Sequence, residues 1–266
     1  RPVNYRRGDT KMKLDQVKAV ITGGASGLGL ATAQRLVAAG GKVTLLDVQD
    51  AAGNAAAGAL GKAVRYRACD VTSESAVDTA VREAAEWMGG LNLAVSCAGV
   101  ATPGKLLGRD GPLSSAAFQR VLAINTTGTF HVDRAAAALM QNNEPDADGE
   151  RGLLIHTASV AAYEGQIGQV AYATSKAAVV GMVLPLAREL ARFGIRVVGI
   201  APGLFGTPMM AGLPQEAQDS LGKQVPFPPR LGRPEEYAEL VAAICTNHML
   251  NGTTIRLDGA IRMAPR

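Results

Sequence analysis

The stretch that decides the fold reads TGGASGLG and occupies residues 22–29. Apolar residues precede it from position 17, and residues 30–37 follow it with the apolar spacing of a helix. A strand, a glycine-rich turn and a helix in this order form an anion site, because glycines let backbone N–H groups approach a diphosphate and the helix N-terminus adds partial positive charge. The stretch therefore predicts a dinucleotide-binding turn.

The glycines of this stretch follow the pattern G-x-x-x-G-x-G, which differs from the G-x-G-x-x-G of the standard dinucleotide fingerprint. The stretch also lacks the Lys-Ser/Thr ending of a P-loop, which argues against hydrolysis of ATP or GTP. Taken alone, the motif leaves an ordinary glycine turn open as the alternative.

Asp47 ends the next strand-like run, residues 42–47, and lies 18 residues after Gly29. An acidic residue about 20 residues beyond the glycines meets the adenosine ribose in dinucleotide-binding folds. Its carboxylate would accept hydrogen bonds from both ribose hydroxyls of NAD and repel the additional phosphate of NADP, and residues 48–60 contain no Arg or Lys to balance that repulsion. We expect NAD as the cofactor. The alternative is that Asp47 merely caps the following helix.

Composition limits the classes of protein to which the chain can belong. It has 266 residues, 31 of them glycine, and a hydrophobic fraction of 47%, which suits one domain with a buried sheet and many tight turns. No uncharged apolar stretch reaches the length of about 18 residues that a membrane span needs, so no membrane partner is expected. Cys69, Cys97 and Cys245 lie far apart and the three histidines show no ligand spacing, so neither disulfides nor a metal site is expected.

The basic charge is concentrated at one end of the chain. The formal net charge is +4, but residues 1–11 hold four basic side chains and one acidic one, so the rest is nearly neutral and nucleic acid is not an expected partner. We expect a disordered tail at residues 1–11, outside a domain of residues 12–266. The tail is a remnant of the expression vector, a misassigned start before Met12, or part of a mitochondrial presequence. The scattered cysteines fit a reducing compartment, so the expected location is the cytoplasm, with the mitochondrial matrix as the alternative.

Strand-like runs alternate with Ala-rich helical segments, which predicts a doubly wound α/β fold: one parallel, Rossmann-type sheet with helices on both faces. No linker divides the chain, so a single domain is expected. Residues 203–229 are irregular and rich in proline, as in a lid or a binding loop. The seven predicted strands are residues 17–21, 43–47, 63–68, 91–97, 152–157, 195–200 and 253–257.

Tyr172 and Lys176 are four residues apart in a predicted helix and so share one face. An unperturbed tyrosine, with a pKa of about 10, is a poor base at neutral pH, but a nearby ammonium favours the phenolate and lowers that pKa. Ser159 follows a predicted strand, at the sheet edge where ligands bind, and its hydroxyl would hydrogen-bond a substrate oxygen beside the phenol. These residues suit removal of a proton from an alcohol. The alternatives are a core tyrosine, a solvated lysine and a turn serine.

In order and spacing, these motifs resemble those of the short-chain dehydrogenase/reductase superfamily from about residue 14 to the C-terminus. The resemblance implies a seven-stranded parallel sheet that binds NAD(P), usually in a homotetramer, and NAD-dependent oxidation of a secondary alcohol. It rests on the glycine stretch and on Asp47, Asp70-Val71, Ala98-Gly99, Asn125, Ser159, Tyr172, Lys176 and Pro202-Gly203.

The resemblance also implies roles for the matching residues. Tyr172 would be the catalytic acid/base, and Lys176 would lower its pKa and hold the nicotinamide ribose. Ser159 would orient the substrate, and Asn125 would hold a water molecule in a proton relay.

The expected cofactor residues include Asp70 and Val71, which would flank the adenine, and Thr207, which would contact the nicotinamide carboxamide. The full set is Gly23, Ser26, Gly27, Leu28, Gly29, Asp47, Asp70, Val71, Ala98, Gly99, Tyr172, Lys176, Pro202, Gly203 and Thr207.

Cys97 stands where the family usually has an asparagine before Ala-Gly, which points to a subgroup. Several strings resemble the subgroup that oxidises 3-hydroxyacyl-CoA, with some activity on steroid alcohols, namely residues 157–162, 164–166, 201–208, 224–228 and 256–263. An acyl-CoA or a steroid alcohol is therefore the expected substrate. The alternative function is a non-catalytic dinucleotide-binding subunit of a larger assembly, against which the complete set of catalytic residues argues.

The expected substrate residues combine polar and apolar side chains. Gln166 would hydrogen-bond the substrate, and the apolar ones, with Met210 and Leu213 nearby, would line a cleft under the proline-rich loop. Solvation of Gln166 and core packing of the methionines are the alternatives. The set is Ser159, Gln166, Tyr172, Leu204, Phe205 and Met209.

Overall fold

The computed structural model describes residues 12–109, 111–212 and 214–265. The tail expected at residues 1–11 therefore lies outside the described residues, as does Leu213.

Seven strands form one fully parallel sheet in the order β3-β2-β1-β4-β7-β8-β9, and two short strands form a separate antiparallel hairpin, β5-β6. Each of the seven predicted strands is confirmed, with ends that differ by a few residues. The strands are β1 Lys18–Thr22, β2 Lys42–Asp47, β3 Val64–Ala68, β4 Leu93–Ser96, β5 Leu107–Gly108, β6 Gly111–Pro112, β7 Gly152–Thr157, β8 Ile195–Pro202 and β9 Thr254–Leu257.

Helices cover both faces of this sheet, which confirms the doubly wound α/β prediction. Every residue of β7 and β8 is buried as a result, so these strands consist mainly of apolar residues. The helices are α1 Gly27–Ala38, α2 Asp50–Leu60, α3 Glu74–Met88, α4 Ser115–Leu122, α5 Gly128–Met140, α6 Val170–Leu190, α7 Pro208–Ala211, α8 Gln215–Lys223 and α9 Pro234–Cys245.

The core has two main layers, one on each face of the sheet. On one face, α3, α5 and α6 contribute side chains such as Val77, Val132 and Val183. On the other, α1 and α9 pack together and contribute Leu36 and Tyr237. Burial of these side chains is the main favourable term in folding, and it fixes the sheet that carries the site.

The chain changes direction across the sheet at β1. It runs outward from β1 to β2 and β3, and then returns to β4 on the other side of β1. Such a reversal of strand order opens a crevice beyond the carboxyl ends of the neighbouring strands, which is where α/β folds bind ligands. The glycine stretch directly follows β1 and therefore lies in this crevice.

The proline-rich segment 203–229 differs from its prediction as an irregular loop, because it contains α7 and α8. Pro208 is the first residue of α7, and Pro214 directly precedes α8. Proline is well tolerated at the start of a helix, where its missing N–H has no partner to lose. Two of the prolines that suggested a loop therefore mark helix starts, whereas Pro226, Pro228 and Pro229 lie in an irregular segment after α8.

The segment Val170–Phe193 is long and apolar enough, by length and composition alone, to cross a membrane. In this fold it is α6 and its continuation, and it packs against β8 and α4. Its first turns carry Tyr172 and Lys176, so its place is on the sheet beside the crevice.

Candidate active site

The glycine stretch forms a tight turn, the glycine cradle, in which Cβ atoms at Gly23 and Gly29 would collide with backbone atoms. Gly23 and Gly27 have φ angles of +62° and +53°, a region that favours glycine. A Cβ atom on Gly23 would lie 2.8 Å from the backbone nitrogen of Ala98, and one on Gly29 would lie 2.3 Å from the Gly23 carbonyl oxygen. The turn thus packs tightly against the end of β4 and leads into α1, whose N-terminus faces the crevice.

Asp47 lies at the carboxyl end of β2, where its side chain is mostly buried. One carboxylate oxygen accepts a hydrogen bond of 3.1 Å from the Ala25 backbone N–H, and the other accepts one of 3.1 Å from that of Gln49. An ionised carboxylate can accept about four hydrogen bonds, so both oxygens retain capacity for a diol. Asp47 therefore ties down the glycine turn, and it is not the N-cap of the following helix, which is Gln49.

Asp70 and Val71 follow β3 and lie across the crevice from the glycine turn. The Asp70 carboxylate accepts hydrogen bonds from the backbone N–H and the hydroxyl of Thr72, at 2.9 and 2.8 Å. The Val71 carbonyl accepts a 2.9 Å hydrogen bond from His131 Nδ1. These bonds fix a short loop whose side chains line the cavity.

A single cavity of about 1020 Å³ joins the glycine turn, the ends of the strands and the start of α6. It is large enough for a dinucleotide together with a substrate, since small-molecule sites commonly measure about 300–1,000 Å³. The predicted residues that it brings together are Gly23, Ser26, Gly27, Leu28, Gly29, Asp47, Asp70, Val71, Ala98, Gly99, Ser159, Tyr172, Lys176, Pro202, Gly203, Leu204, Phe205 and Thr207.

Tyr172 and Lys176 lie on one face of α6, as predicted. The Lys176 ammonium is 5.8 Å from the centroid of the Tyr172 ring and donates a 2.7 Å hydrogen bond to the Thr157 carbonyl at the end of β7. Burial lowers the pKa of Lys176 to about 8, because desolvation disfavours the charged form.

Burial also raises the pKa of Tyr172, while a hydrogen bond with Ser159 lowers it in part. The shift runs opposite to the lowering that the Tyr172/Lys176 pair predicts, because desolvation of the phenolate outweighs the favourable contacts. Lowering this pKa therefore needs more positive charge in the cavity, such as that of an oxidised nicotinamide beside the two side chains.

Ser159 is placed by the short 3₁₀ turn that follows β7. It caps this turn, and its hydroxyl accepts a 3.1 Å hydrogen bond from the Ala161 backbone N–H. That bond leaves the hydroxyl proton for another acceptor, and the hydroxyl lies within reach of the Tyr172 phenol. The pair can therefore hold one oxygen atom of a substrate between them.

Asn125 is fully buried in a π-helical turn, Ala123–Thr127, between α4 and α5. Its side-chain oxygen accepts a 2.8 Å hydrogen bond from the Val100 N–H, and its amide donates to the Val100 carbonyl and to Ser175 Oγ, both at 2.9 Å. The side chain thus ties the segment after β4 to α6 and does not line the cavity. A water molecule of the predicted proton relay would therefore have to bind the backbone carbonyl oxygen of Asn125.

Thr157, whose carbonyl binds Lys176, contacts the side chains of Tyr237 and Cys97. Thr157 Oγ1 lies 2.7 Å from the hydroxyl of Tyr237 and 3.4 Å from Cys97 Sγ. Cys97 follows β4 and lines the cavity, and its thiol donates a 3.7 Å hydrogen bond to the Tyr237 hydroxyl. Burial raises the pKa of this thiol, which disfavours the nucleophilic thiolate. Cysteine in place of the family's usual asparagine therefore alters the residues that surround Lys176 and leaves the catalytic side chains unchanged.

Gln166, a predicted substrate residue, does not line this cavity but an adjacent hollow. Its amide donates a 3.0 Å hydrogen bond to the Ala264 carbonyl, and its carbonyl oxygen lies 3.3 Å from Gln169 Nε2. Phe205 lines the cavity but is mostly buried and packs in the core, so it serves the sheet as well as the cleft. The assignment of Met209 concerns a side chain outside the described ones, whereas Met210 lines the cavity.

Among the cavity-lining residues that the sequence-based prediction did not name are Arg120, Gln169 and Met263. Two of them carried a usable signal. Arg120 precedes Ile124, another cavity residue, by one helical turn, and Gln169 precedes Tyr172 by three residues. Met263 carried none, because only the tertiary fold brings the C-terminal segment back to the site.

Residues 17–218 match the short chain dehydrogenase family. The chain is 55% identical over 251 residues to the 3-hydroxyacyl-CoA dehydrogenase type-2 of Homo sapiens, covering 93% of this chain and 95% of that protein. It is 53% identical over 249 residues to the protein of the same name from Drosophila melanogaster, covering 93% and 98%.

A solved structure agrees with these relatives. The crystal structure of 3-hydroxyacyl-CoA dehydrogenase type-2 from Mycobacterium avium superposes with a TM-score of 0.91 at 41% identity, covering 95% of this chain and 98% of that one. The fold therefore has its counterpart in a solved structure of that group of oxidoreductases. The chain belongs to the short-chain dehydrogenase family.

Proposed function

We propose that the protein oxidises 3-hydroxyacyl-CoA to 3-oxoacyl-CoA with NAD. The observation that carries the proposal is the joining of Asp47, the glycine cradle and the Ser159/Tyr172/Lys176 group in one cavity. The names of the relatives described above support the substrate class. No observation favours the alternative of a non-catalytic subunit.

The choice of NAD rests on the charge around Asp47. Its carboxylate lies at the far end of the cavity from the basic residues Arg120 and Lys176, which stand on α4 and α6, two helices that pack together. A diol can bind the two carboxylate oxygens, whereas a phosphate at this position would meet their negative charge. The glycine turn and the N-terminus of α1 line the same cavity and offer backbone N–H groups to a diphosphate beside Asp47.

Tyr172 takes the proton of the substrate hydroxyl in the proposed reaction. Ser159 donates a hydrogen bond to the same oxygen and so holds it against the phenol oxygen. Lys176 is kept in place by the Thr157 carbonyl, and its charge favours the phenolate that receives the proton. A bound nicotinamide dinucleotide supplies the hydride acceptor.

The substrate class is supported by the lining of the cavity next to Ser159. Leu204, Met210 and Met263 offer apolar surface there. Each buried CH₂ of an acyl chain gains about 0.8 kcal/mol. A polyol would leave hydroxyl groups without partners against the same surface, which costs about 1–3 kcal/mol for each one.

A substrate panel tests the proposal. The values of kcat/KM with NAD are compared for 3-hydroxybutyryl-CoA, a longer homologue, a hydroxysteroid and a polyol. We expect the CoA esters to be the best substrates. The substrate assignment fails if the polyol is preferred or if neither CoA ester is oxidised, even where the enzyme oxidises another alcohol.

We further propose a homotetramer. Phe130 on α5 and Leu184 on α6 are 46% and 44% exposed, and these two helices offer apolar side chains that could pack against a second subunit. Light scattering after gel filtration measures the oligomer, and a monomer at micromolar concentration would contradict the proposal.

A further inference from the structure

The C-terminal segment, residues 258–265, follows the last strand, β9, and returns to the active-site cavity. These eight residues form neither helix nor strand, yet Ile261 is only 2% exposed and the half-buried Met263 lines the cavity. Bonds to the rest of the chain, and not a regular element, therefore determine where the Met263 side chain lies.

One flank of the C-terminal segment is bonded to the turn formed by residues 164–167. Glu164 Oε2 accepts a 3.2 Å hydrogen bond from the Met263 backbone N–H. The carbonyl oxygens of the next two residues accept 3.0 Å hydrogen bonds, one from Gln166 Nε2 and one from the Ile167 backbone N–H. Three consecutive residues of the segment are thus tied to this turn.

The Glu164 carboxylate is itself fixed by Arg256, a residue of β9. The guanidinium binds both carboxylate oxygens, at 2.8 and 3.1 Å, and its Nε donates a 2.7 Å hydrogen bond to Asp258. The hydrogen bonds from Arg256 lower the pKa of Glu164, which keeps the carboxylate ionised at neutral pH. Such a bidentate pair has a defined geometry, so it holds the acceptor of the Met263 N–H in one place.

The other flank of the C-terminal segment contacts the proline-rich segment 203–229. A Cβ atom on Gly203 would lie 2.9 Å from the backbone of the C-terminal segment, and the Phe227 N–H donates a 3.2 Å hydrogen bond to the Gly259 carbonyl. The C-terminal segment therefore joins residues 203–229 to the turn 164–167, and its one cavity-lining side chain is that of Met263.

The turn 164–167 places Met263 at the substrate end of the cavity. The turn lies between Ser159 and Tyr172, the two side chains that would hold the reacting oxygen. Met263 is the only methionine of the C-terminal segment, and its unbranched thioether is suited to contact an apolar chain.

We propose that Met263 determines the length of the acyl chain that the cavity accepts, and that Glu164 is the residue that positions it. The inference rests on the proposed function, because it concerns the acyl half of that substrate. With the side chain of Met263 truncated, a long chain gains room, whereas a short chain loses a contact. One methylene group in an apolar pocket changes the discrimination between substrates by about 10–200-fold.

The preference for chain length tests the role of Met263. It is measured with NAD as the ratio of kcat/KM for 3-hydroxydecanoyl-CoA to that for 3-hydroxybutyryl-CoA. We expect Met263→Ala to raise this ratio at least about fivefold and Met263→Phe to lower it. The control is Met249→Ala, which truncates a methionine that is 93% exposed and should leave the ratio unchanged. Equal ratios in the wild type, Met263→Ala and the control would overturn the role of Met263.

A double variant tests the positioning by Glu164. Glu164→Ala removes the acceptor of the Met263 N–H and should also raise the ratio, and adding it to Met263→Ala should have no further effect, because Glu164 acts through Met263. Glu86→Ala, which breaks an exposed ion pair with Arg82 on α3, is the control. A fall in Tm with an unchanged ratio, or additive effects of the two substitutions, would overturn the positioning role.

A second series of substrates separates this proposal from the proposed function. The ratio of kcat/KM for 2-octanol to that for 2-butanol measures the chain-length preference without CoA. If the wild type oxidises these alcohols but neither CoA ester, the proposed function fails, and the alcohol ratio in Met263→Ala decides the role of Met263. If the CoA esters are oxidised and Met263→Ala leaves their ratio unchanged, the proposed function stands and the role of Met263 fails. If neither series is oxidised, both fail.

Discussion

At the scale of single residues, the site needs a phenolate at Tyr172 and an ammonium at Lys176, and burial disfavours both charged forms. Burial raises the pKa of Tyr172 and lowers that of Lys176, so each of these side chains is pushed toward its neutral form. A neutral phenol is a good proton donor and a poor proton acceptor. Oxidation of an alcohol therefore depends on positive charge reaching the Tyr172 oxygen when the cavity is filled.

Removal of the Tyr172 hydroxyl should abolish turnover without harming cofactor binding. General acid–base catalysis contributes about 10²–10⁴-fold, and Tyr172→Phe keeps the ring in place while the phenol is lost. We expect kcat to fall by at least about a hundredfold and the Kd for NAD to stay near that of the wild type. A variant that retains more than about a tenth of the wild-type kcat would exclude the assigned role.

Asp47→Ala should narrow the preference for NAD over NADP. The wild-type carboxylate attracts a ribose diol and repels a phosphate, and the alanine does neither. The ratio of kcat/KM values for the two cofactors measures the effect, with Asp70→Ala as a second acidic residue of the cavity that should change the ratio less. Equal values for NAD and NADP in the wild type would contradict the assignment of Asp47 to the ribose.

The stability of the protein should report the buried charge of Lys176. Its pKa is lowered to about 8 in the folded protein from 10.5, so between these pH values the unfolded chain binds a proton that the folded chain has released. The wild-type free energy of unfolding should therefore rise with pH in this window relative to Lys176→Met, by at most about 1.4 kcal/mol per pH unit.

Urea unfolding at several pH values between 8 and 10.5 measures this difference. Lys62→Met, which removes an exposed lysine, should give a curve parallel to that of the wild type. If the difference between wild type and Lys176→Met does not change across the window, the ammonium is not desolvated in the folded protein.

At the scale of elements, α5 is joined to β7 by a buried pair of polar side chains. His156 Nε2 donates a 3.0 Å hydrogen bond to Asp133, and both side chains are almost completely inaccessible to solvent. Removal of one partner leaves the other buried without its hydrogen bond, whereas replacement of both by apolar residues removes the need for one.

We expect Asp133→Val alone to lower the free energy of unfolding by about 3–5 kcal/mol, and the double variant Asp133→Val/His156→Leu to recover most of that loss. Chemical denaturation of the wild type, both single variants and the double variant gives the coupling between the two sites. Additive losses in the double variant would mean that the two side chains contribute independently.

The sequence predicted the helices and strands well where the hydrophobic periodicity and the positions of the turn residues agree. Most of the seven strands are short apolar runs between turn residues, a pattern typical of a fully buried parallel strand, whereas the two edge strands, β3 and β9, contain arginine and are partly exposed. The pattern failed at residues 203–229, because Pro208 and Pro214 signal a chain break both in a loop and at a helix start. Local sequence cannot separate these two cases without the packing of the helix that follows.

At the scale of the whole molecule, the sheet assembles residues that the sequence spaces widely. The carboxyl ends of parallel strands meet at one edge, so Asp47, Ser159 and the glycine stretch could be assigned to one site from their positions after strands. Gln166 lies outside the cavity lining because its spacing from Ser159 does not determine the direction of its side chain, and Met263 was not predicted because only the tertiary fold brings it to the site.

The central claim is that the cavity oxidises a 3-hydroxyacyl-CoA with NAD, and one reaction tests it most directly. The purified enzyme is mixed with 3-hydroxybutyryl-CoA and NAD, and the 3-oxoacyl-CoA product and NADH are quantified together by mass spectrometry and absorbance. We predict that the two products form in equal amounts and that Tyr172→Phe forms almost none of either. Absence of the 3-oxoacyl-CoA from the wild-type reaction, or its formation by Tyr172→Phe at the wild-type rate, would contradict the claim.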